Sequence, residues 1–182
     1  MIVGQQGAGK SLLGMFLARK VQAISPDVIT IYTNMNIQNN RTIKTVTDIS
    51  QIPLNLEPKI LIIDEAMFTL DSRSHSSKQN KVWTRLQAFF RKSNFLMVIF
   101  ITHSIDLIDN RMRGQLDYVI MCRKNKTKFD YLAIDRITQR TKPFYLIKEK
   151  KIYDYANFDT HDFPFPITVD GLQDSKLFKI LQ

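Results

Sequence analysis

The sequence contains a single cysteine, Cys122, so the chain cannot form an internal disulfide. No apolar run approaches the ~20 residues that a membrane-spanning helix needs. The N-terminus has no basic region followed by an apolar region, as a secretory signal would have. There is also no internal repeat and no low-complexity tract. These absences exclude a disulfide-stabilised secreted scaffold, and we expect a soluble intracellular protein with no membrane span.

The remaining composition is that of a folded protein with an excess of positive charge. Of 182 residues, 44% are apolar and 24% are charged, which predicts one globular domain with an ordinary core. The net charge is +9, from 26 basic and 17 acidic residues. This excess favours a polyanionic partner such as nucleic acid, and a merely solubilising surface is the alternative.

Strand-like and helix-like patterns alternate along most of the chain. Buried strands are predicted at "KILIIDEA", "FLMVIFITH" and "DYVIMC", and amphipathic helices after Ser11 and from Val82. This order predicts an α/β fold with a central, mostly parallel sheet flanked by helices. The segments "FDYLAIDRI" and "PFYLIKEKKIYDY" predict a C-terminal β-hairpin, and the tail after it should lie against the body. We expect one domain over 1–182, with a core over about 1–128 and the hairpin and tail over about 129–182.

The segment "GQQGAGKS" matches the phosphate-binding pattern G-x-x-x-x-G-K-[ST] in full, directly after a very short predicted strand. Its glycines permit a tight turn that points backbone N–H groups at a phosphate, at the N-terminus of the next helix. We predict that Lys10 neutralises the β- and γ-phosphates and that the Ser11 hydroxyl ligates Mg²⁺. The predicted nucleotide-binding residues are Gly4, Gln5, Gln6, Gly7, Ala8, Gly9, Lys10, Ser11 and Leu12.

Two consecutive carboxylates follow the strand "ILII". Asp64 stands where P-loop NTPases hold Mg²⁺, and Glu65 can polarise a water for attack on the γ-phosphate. The alternative for Glu65 is that it only begins a loop. The pair resembles that of P-loop NTPases of the additional-catalytic-glutamate (RecA/FtsK-like) type, and this resemblance implies that the chain uses ATP and Mg²⁺. A GTPase is disfavoured, because the sequence has no Asp-x-x-Gly switch and "NKTK" lacks the guanine-reading Asp.

Polar and basic residues surround the strand "FLMVIFITH". In this type of NTPase, the strand between the phosphate-loop strand and the Asp-Glu strand ends in a polar residue that contacts the γ-phosphate or the attacking water. Thr102 and His103 are predicted to fill that role, because ligands bind at the carboxyl ends of parallel strands. Alternatively, they are ordinary strand-end residues. Arg91, and less so Arg113, could stabilise a neighbouring subunit's γ-phosphate, unless they are only solvated helix-end cations.

These motifs make the chain resemble the FtsK–HerA superfamily of DNA-pumping ATPases over about residues 1–160. Within it, the chain is similar to packaging ATPases of tailless viruses and to the zonula-occludens-toxin-like (Zot-like) assembly proteins of filamentous phages. The discriminating stretch is "DSRSHSSKQNKVWTRLQAFFRKSNFLMVIFITHSIDLIDNRMR", and "KIYDYANFDT" resembles a late segment of the Zot-like domain. One departure is His103, because this group usually has Gln at that position.

The resemblance implies a ring, commonly a hexamer, with ATP between subunits and duplex DNA in its pore. Basic residues there would contact phosphates without reading sequence. Candidates are Arg73, Lys78, Lys81, Arg123, Lys124, Lys126 and Lys128.

The predicted function is Mg²⁺-dependent ATP hydrolysis that powers translocation of viral double-stranded DNA, as in genome packaging. It would take place in the host cytoplasm or on the virion, with a capsid vertex or a virion membrane protein as a further partner. One alternative is a Zot-like assembly or extrusion ATPase, which the absence of a predicted membrane span in this sequence disfavours. Others are a P-loop small-molecule kinase with Arg85 and Arg91 as lid residues, and a non-catalytic scaffold.

Overall fold

An eight-stranded sheet forms the centre of the chain. It is seen in a computed structural model that describes residues 1–37, 41–70, 78–90, 92–157 and 164–172. In chain order, the strands are β1 (Ile2–Gly4), β2 (Thr30–Thr33), β3 (Ile43–Thr45), β4 (Lys59–Ile63), β5 (Phe95–Thr102), β6 (Tyr118–Lys124), β7 (Lys128–Asp135) and β8 (Thr141–Ile147). The helices are α1 (Lys10–Gln22), α2 (Lys78–Phe90), α3 (Asn110–Arg113) and α4 (Lys150–Ala156).

The order of the strands across the sheet is β3-β2-β4-β5-β1-β6-β7-β8. The strands from β3 to β6 pair in parallel, and β7 and β8 add antiparallel strands at one edge. The predicted α/β fold with a mostly parallel sheet is therefore confirmed. The sheet also has β5 between the phosphate-loop strand β1 and the Asp-Glu strand β4, as the sequence predicted.

Helices cover both faces of the sheet. Along β4, Leu61 and Ile63 join one apolar cluster, which includes Trp83 of α2. Ile60 and Ile62 join the other cluster, with α1 and α4. This burial on both faces explains the continuous apolar run in the sequence. None of the helices in the described part of the chain is long and apolar enough to cross a membrane.

Two predicted boundaries were wrong. Helix α2 begins at Lys78 and not at Val82, because its polar first turn carries no apolar periodicity for the sequence analysis to detect. The second hairpin strand ends at Ile147, and "KKIYDYA" forms helix α4 instead of continuing the strand. Ile152, Tyr155 and Ala156 of this helix recur at helical spacing and pack towards α1.

Strand β5 is buried only in its second half, although the sequence predicted a buried strand throughout. The short strand β1 pairs with β5 only at Ile101 and Thr102, and Leu96 is largely exposed. A cavity of about 810 Å³ lies beside the first half of β5, lined among others by Met1, Phe95 and Tyr118. It is at the amino ends of the strands, opposite the phosphate loop.

The C-terminal segment over residues 164–172 packs against the body, as predicted for the tail. Ile167, Val169 and Leu172 are buried in the same apolar cluster as α2. Thr168 forms a parallel bridge with Asp48, and the Ile167 N–H donates to the Thr69 hydroxyl oxygen at 3.1 Å. The segments over 71–77 and 158–163 lie outside the described residues; the sequence predicts a polar loop over 71–81.

Candidate active site

The loop between β1 and α1 needs its glycines for two physical reasons. Gly7 and Gly9 have φ values of 71° and 76°, a left-handed conformation that is strained for any side chain. A Cβ at Gly4 would stand 2.5 Å from the Cys122 carbonyl oxygen, and one at Gly9 would stand 2.7 Å from the Phe129 ring. The backbone can therefore turn tightly beside β6 and β7, as a phosphate-binding loop requires.

Lys10, Ser11 and Asp64 meet at the carboxyl ends of β1 and β4. The Lys10 Nζ donates to the Gln5 main-chain oxygen at 3.2 Å. The Ser11 hydroxyl lies close enough to the Asp64 carboxylate to favour its charged form. Asp64 is only 7% exposed. Burial raises the pKa of Asp64, and the nearby Ser11 hydroxyl and Lys10 charge oppose that rise.

Glu65 directly follows Asp64 in a backbone conformation that is unusual for its type. Its φ of 46° lies in the left-handed region, which costs about 1 kcal/mol or more for such a residue and often marks a functional site. Its Oε1 lies 3.3 Å from the His103 Nε2. Its Oε2 is buried and has no hydrogen-bond partner among the described residues. Burial raises the pKa of Glu65, opposed by His103, so this carboxylate is a stronger base than an exposed one.

His103 connects the carboxylate to the phosphate-loop lysine. Its Nδ1 lies 3.4 Å from the Lys10 Nζ, while its other ring nitrogen faces Glu65. Thr102 is fully buried, and its hydroxyl donates to the Ser104 main-chain oxygen at 3.3 Å. Of the two residues predicted at this strand end, the structure thus brings His103 into the site and turns Thr102 towards the following loop.

Asn34 also belongs to this site, and the sequence analysis missed it. It follows β2 and is 1% exposed. Its side chain accepts from the Asp64 N–H at 2.7 Å and donates to the Asp64 main-chain oxygen at 2.9 Å and the Phe165 main-chain oxygen at 2.8 Å. Asn34 therefore holds the backbone at Asp64 and ties it to the C-terminal segment. Polar residues at the end of "TIYTN" were the available signal.

The antiparallel strands form a wall beside the phosphate loop, which the sequence analysis also did not foresee. The Tyr131 hydroxyl on β7 donates to the Gly9 main-chain oxygen at 3.2 Å, and the Phe129 ring covers Gly9. Burial raises the pKa of Tyr131, so its hydroxyl remains a donor. The C-terminal hairpin is thus packed directly on the loop that would hold the phosphates.

The basic residues predicted to contact a neighbouring subunit's γ-phosphate or DNA lie in different parts of the chain. Arg91, Arg73 and the side chains of Lys78 and Lys81 lie outside the described residues. Arg113, the last residue of α3, pairs with Asp106 at 2.9 Å, a local contact within the segment that follows β5. The remaining candidates, Arg123, Lys124, Lys126 and Lys128, cluster where β6 turns into β7.

The donor set fits Mg²⁺ bound together with a nucleotide. Among the described residues, no three His, Cys, Asp or Glu side chains gather into a metal cluster. Mg²⁺ does not need one, because it is commonly held by one or two protein oxygens plus phosphates and waters. The adjacent Ser11 hydroxyl and Asp64 carboxylate supply two such oxygens.

The fold and these motifs define a P-loop ATPase, and a comparison with protein families gives the same result. The family model for the ATPase family associated with various cellular activities (AAA) matches residues 1–124. The chain therefore belongs to the AAA family and is an ATPase, as the sequence predicted. The sequence matches no curated protein.

Several solved structures share this fold. The N-terminal domain of zonular occludens toxin from Neisseria meningitidis is 20% identical, with a TM-score of 0.61, over 87% of this chain and 96% of that chain. The genome packaging NTPase B204 from Sulfolobus turreted icosahedral virus 2 in complex with AMPPCP is 16% identical, with a TM-score of 0.58, over 81% and 97% of the two chains. The same NTPase in complex with ATP-gammaS is 14% identical, with a TM-score of 0.56, over 78% of this chain and 94% of that chain.

Proposed function

We propose that the chain couples Mg²⁺-dependent ATP hydrolysis to sequence-independent translocation of double-stranded DNA during viral genome packaging, as a member of the FtsK–HerA group. The observation that carries the hydrolytic part is the convergence of Lys10, Asp64, Glu65 and His103 at the ends of three adjacent strands. The packaging NTPase B204, which shares the fold and was solved with ATP analogues, supports the DNA-translocating part.

The proposed roles follow from the positions of the side chains. Ser11 and Asp64 would hold Mg²⁺, which supplies charge compensation for the phosphates. Lys10 binds the β- and γ-phosphates once ATP displaces its contact with His103. Glu65 then accepts a proton from the attacking water, and its free Oε2 is the oxygen available for this contact. His103 orients Glu65 through its ring nitrogen.

DNA contact is assigned to the basic cluster at the β6–β7 turn. Arg123, Lys126 and Lys128 lie where β6 turns into β7, and the Tyr131 hydroxyl of β7 bonds to the phosphate loop, so a movement of that loop could be passed to them through the hairpin. Lysine and arginine at such a turn would bind phosphates irrespective of base sequence. Assembly into a ring with Arg91 at the neighbouring subunit's γ-phosphate is part of the proposal, as is residence in the host cytoplasm or on the virion next to a capsid protein.

A second candidate function is phage assembly or extrusion, in the manner of the Zot-like group. The higher TM-score and coverage against the zonular occludens toxin domain favour it. Both candidates need the same ATPase site, and they differ in what the hydrolysis acts on. The two functions can therefore be distinguished by which polymer or complex stimulates ATP hydrolysis.

One experiment separates them. Steady-state ATP hydrolysis is measured alone, with duplex DNA of unrelated sequences, and with lipid vesicles, and the oligomer mass is recorded with and without nucleotide. Packaging predicts stimulation by every duplex and a nucleotide-dependent ring. Turnover that ignores DNA and rises with vesicles would favour assembly or extrusion. Phosphate transfer to a small molecule would contradict both.

A further inference from the structure

Lys124 stands apart from the other basic residues at the β6–β7 turn, because it faces the phosphate loop. Strand β6 runs beside β1 in parallel, with Gly4 opposite Cys122, so its last residues lie next to the loop that follows β1. Successive strand residues point to opposite faces. Lys124 therefore shares the face of the buried Cys122, on the side of α1, while Arg123 points to the other face.

The position of the ammonium group agrees with this alternation. The Lys124 Nζ lies 3.5 Å from where a Cβ on Gly7 would stand. Across the sheet, Lys124 pairs with Phe129, whose ring covers Gly9 of the same loop. The ammonium group therefore lies on the side of Gly7 where a Cβ would project, next to the aromatic ring that covers Gly9.

Nothing in the described part of the chain neutralises this ammonium. The nearest carboxylate in sequence, that of Asp130, pairs with Lys128 at 3.0 Å on the opposite face. The ion pairs found among the described residues do not include Lys124. A second cation, Lys148, lies 4.7 Å above the Phe129 ring. Its ammonium donates to the main-chain oxygens of Asn125 and Lys126, which carry no net charge. The wall beside the loop therefore keeps an excess of positive charge, which favours an anion there.

The strand order says which end of a nucleotide this charge would meet. Lys10, Asp64, Glu65 and His103 occupy the side of β1 that faces β5 and β4, where the γ-phosphate belongs. Strand β6 lies on the opposite side of β1. A nucleotide bound at the loop with its γ-phosphate near these residues would have its α-phosphate and ribose end on the β6 side.

We propose that Lys124 is a second nucleotide-binding cation, whose ammonium contacts the α-phosphate and ribose end of ATP bound at the phosphate loop. This inference rests on the proposed nucleotide site and not on DNA translocation. It removes Lys124 from the DNA-binding candidates, where the sequence analysis had placed it with its neighbours.

The test is the affinity of Lys124→Gln for AMP, ADP and ATP, measured by calorimetry without DNA. Because all three ligands carry the α-phosphate, we expect each Kd to rise about tenfold, the effect of losing one charge-assisted hydrogen bond. Lys124→Arg should recover most of the affinity. Lys142→Gln is the matched control: it removes one exposed lysine from β8, away from the loop, and should leave all three Kd values within about twofold.

The possible results separate the role of Lys124 from the nucleotide site and from DNA translocation. Unchanged Kd values for Lys124→Gln, at an unchanged melting temperature without nucleotide, would overturn the inference. Loss of duplex DNA affinity alone would return Lys124 to the DNA-binding surface and also overturn it. Failure of the wild-type chain to bind any of the three nucleotides would instead refute the nucleotide site itself. Wild-type nucleotide binding without DNA binding would refute only the translocation proposal.

Discussion

Replacing Asn34 with Ala should damage both stability and catalysis, because one buried side chain holds the backbone of Asp64. The substitution removes three hydrogen bonds, with lengths of 2.7, 2.9 and 2.8 Å. It leaves one N–H and two carbonyl groups without these partners. At about 1 kcal/mol for each lost bond, the free energy of unfolding should fall by roughly 3 kcal/mol. For a chain of this size, that corresponds to a drop in Tm of roughly 6–12 °C.

The catalytic effect of Asn34→Ala has a separate cause. Loss of the clamp lets the turn at Asp64 and Glu65 shift, and a misplacement of about 1 Å can cost around 100-fold in rate. We expect kcat to fall roughly 10–100-fold, while ATP affinity changes less because the phosphate loop is intact. Urea unfolding and steady-state hydrolysis measure the two effects. Asn125→Ala, which removes exposed hydrogen bonds of the same amide type, should cost only about 0.5 kcal/mol. Equal stability and kcat in Asn34→Ala and wild type would refute the clamp.

Two further predictions concern His103 and Cys122. His103→Gln retains a hydrogen-bonding group towards Glu65 and should keep kcat within about threefold, whereas His103→Leu should lower it roughly 10–100-fold because Glu65 loses its partner; equal hydrolysis rates for the two variants would argue against this role. Burial raises the pKa of the Cys122 thiol to about 12, so iodoacetamide at pH 8 should modify it slowly in the native state and quickly in urea. The same shift predicts that the contribution of this thiol to stability is complete below its ordinary pKa of 9.0 and is lost as the pH rises towards 12. Rapid alkylation of the native protein would contradict the burial.

The core of the fold could be predicted from sequence because its signals are local. The phosphate-loop pattern, the apolar run before Asp64 and the run before Thr102 each identify a strand end without knowledge of the rest of the chain. Parallel strands align their carboxyl ends, so the meeting of Lys10, Asp64 and His103 followed from the fold class. The sheet order confirms the predicted α/β fold, and the AAA family match confirms the predicted ATPase class.

The contacts that Asn34 and Tyr131 make in the site could not be predicted from the sequence. Both act through contacts between residues far apart in the chain, from Asn34 to Phe165 and from Tyr131 to Gly9. A single sequence shows which residues are polar or aromatic, but not which distant backbone group they reach. Thr102 and His103 are a further example. They are adjacent polar residues at the end of β5, but the Thr102 hydroxyl bonds to Ser104 and the His103 ring contacts Glu65, and the sequence alone does not show this difference.

The most direct test of the account is ATP hydrolysis by Glu65→Gln. The amide keeps the size of the side chain but cannot accept the proton of the attacking water. We predict that hydrolysis falls about 10²–10⁴-fold, the usual contribution of a general base, while the Kd for ATP stays within about threefold because Lys10 and the phosphate loop are unchanged. Wild-type turnover in Glu65→Gln, measured under single-turnover conditions with saturating Mg²⁺, would contradict the central claim that Glu65 activates water.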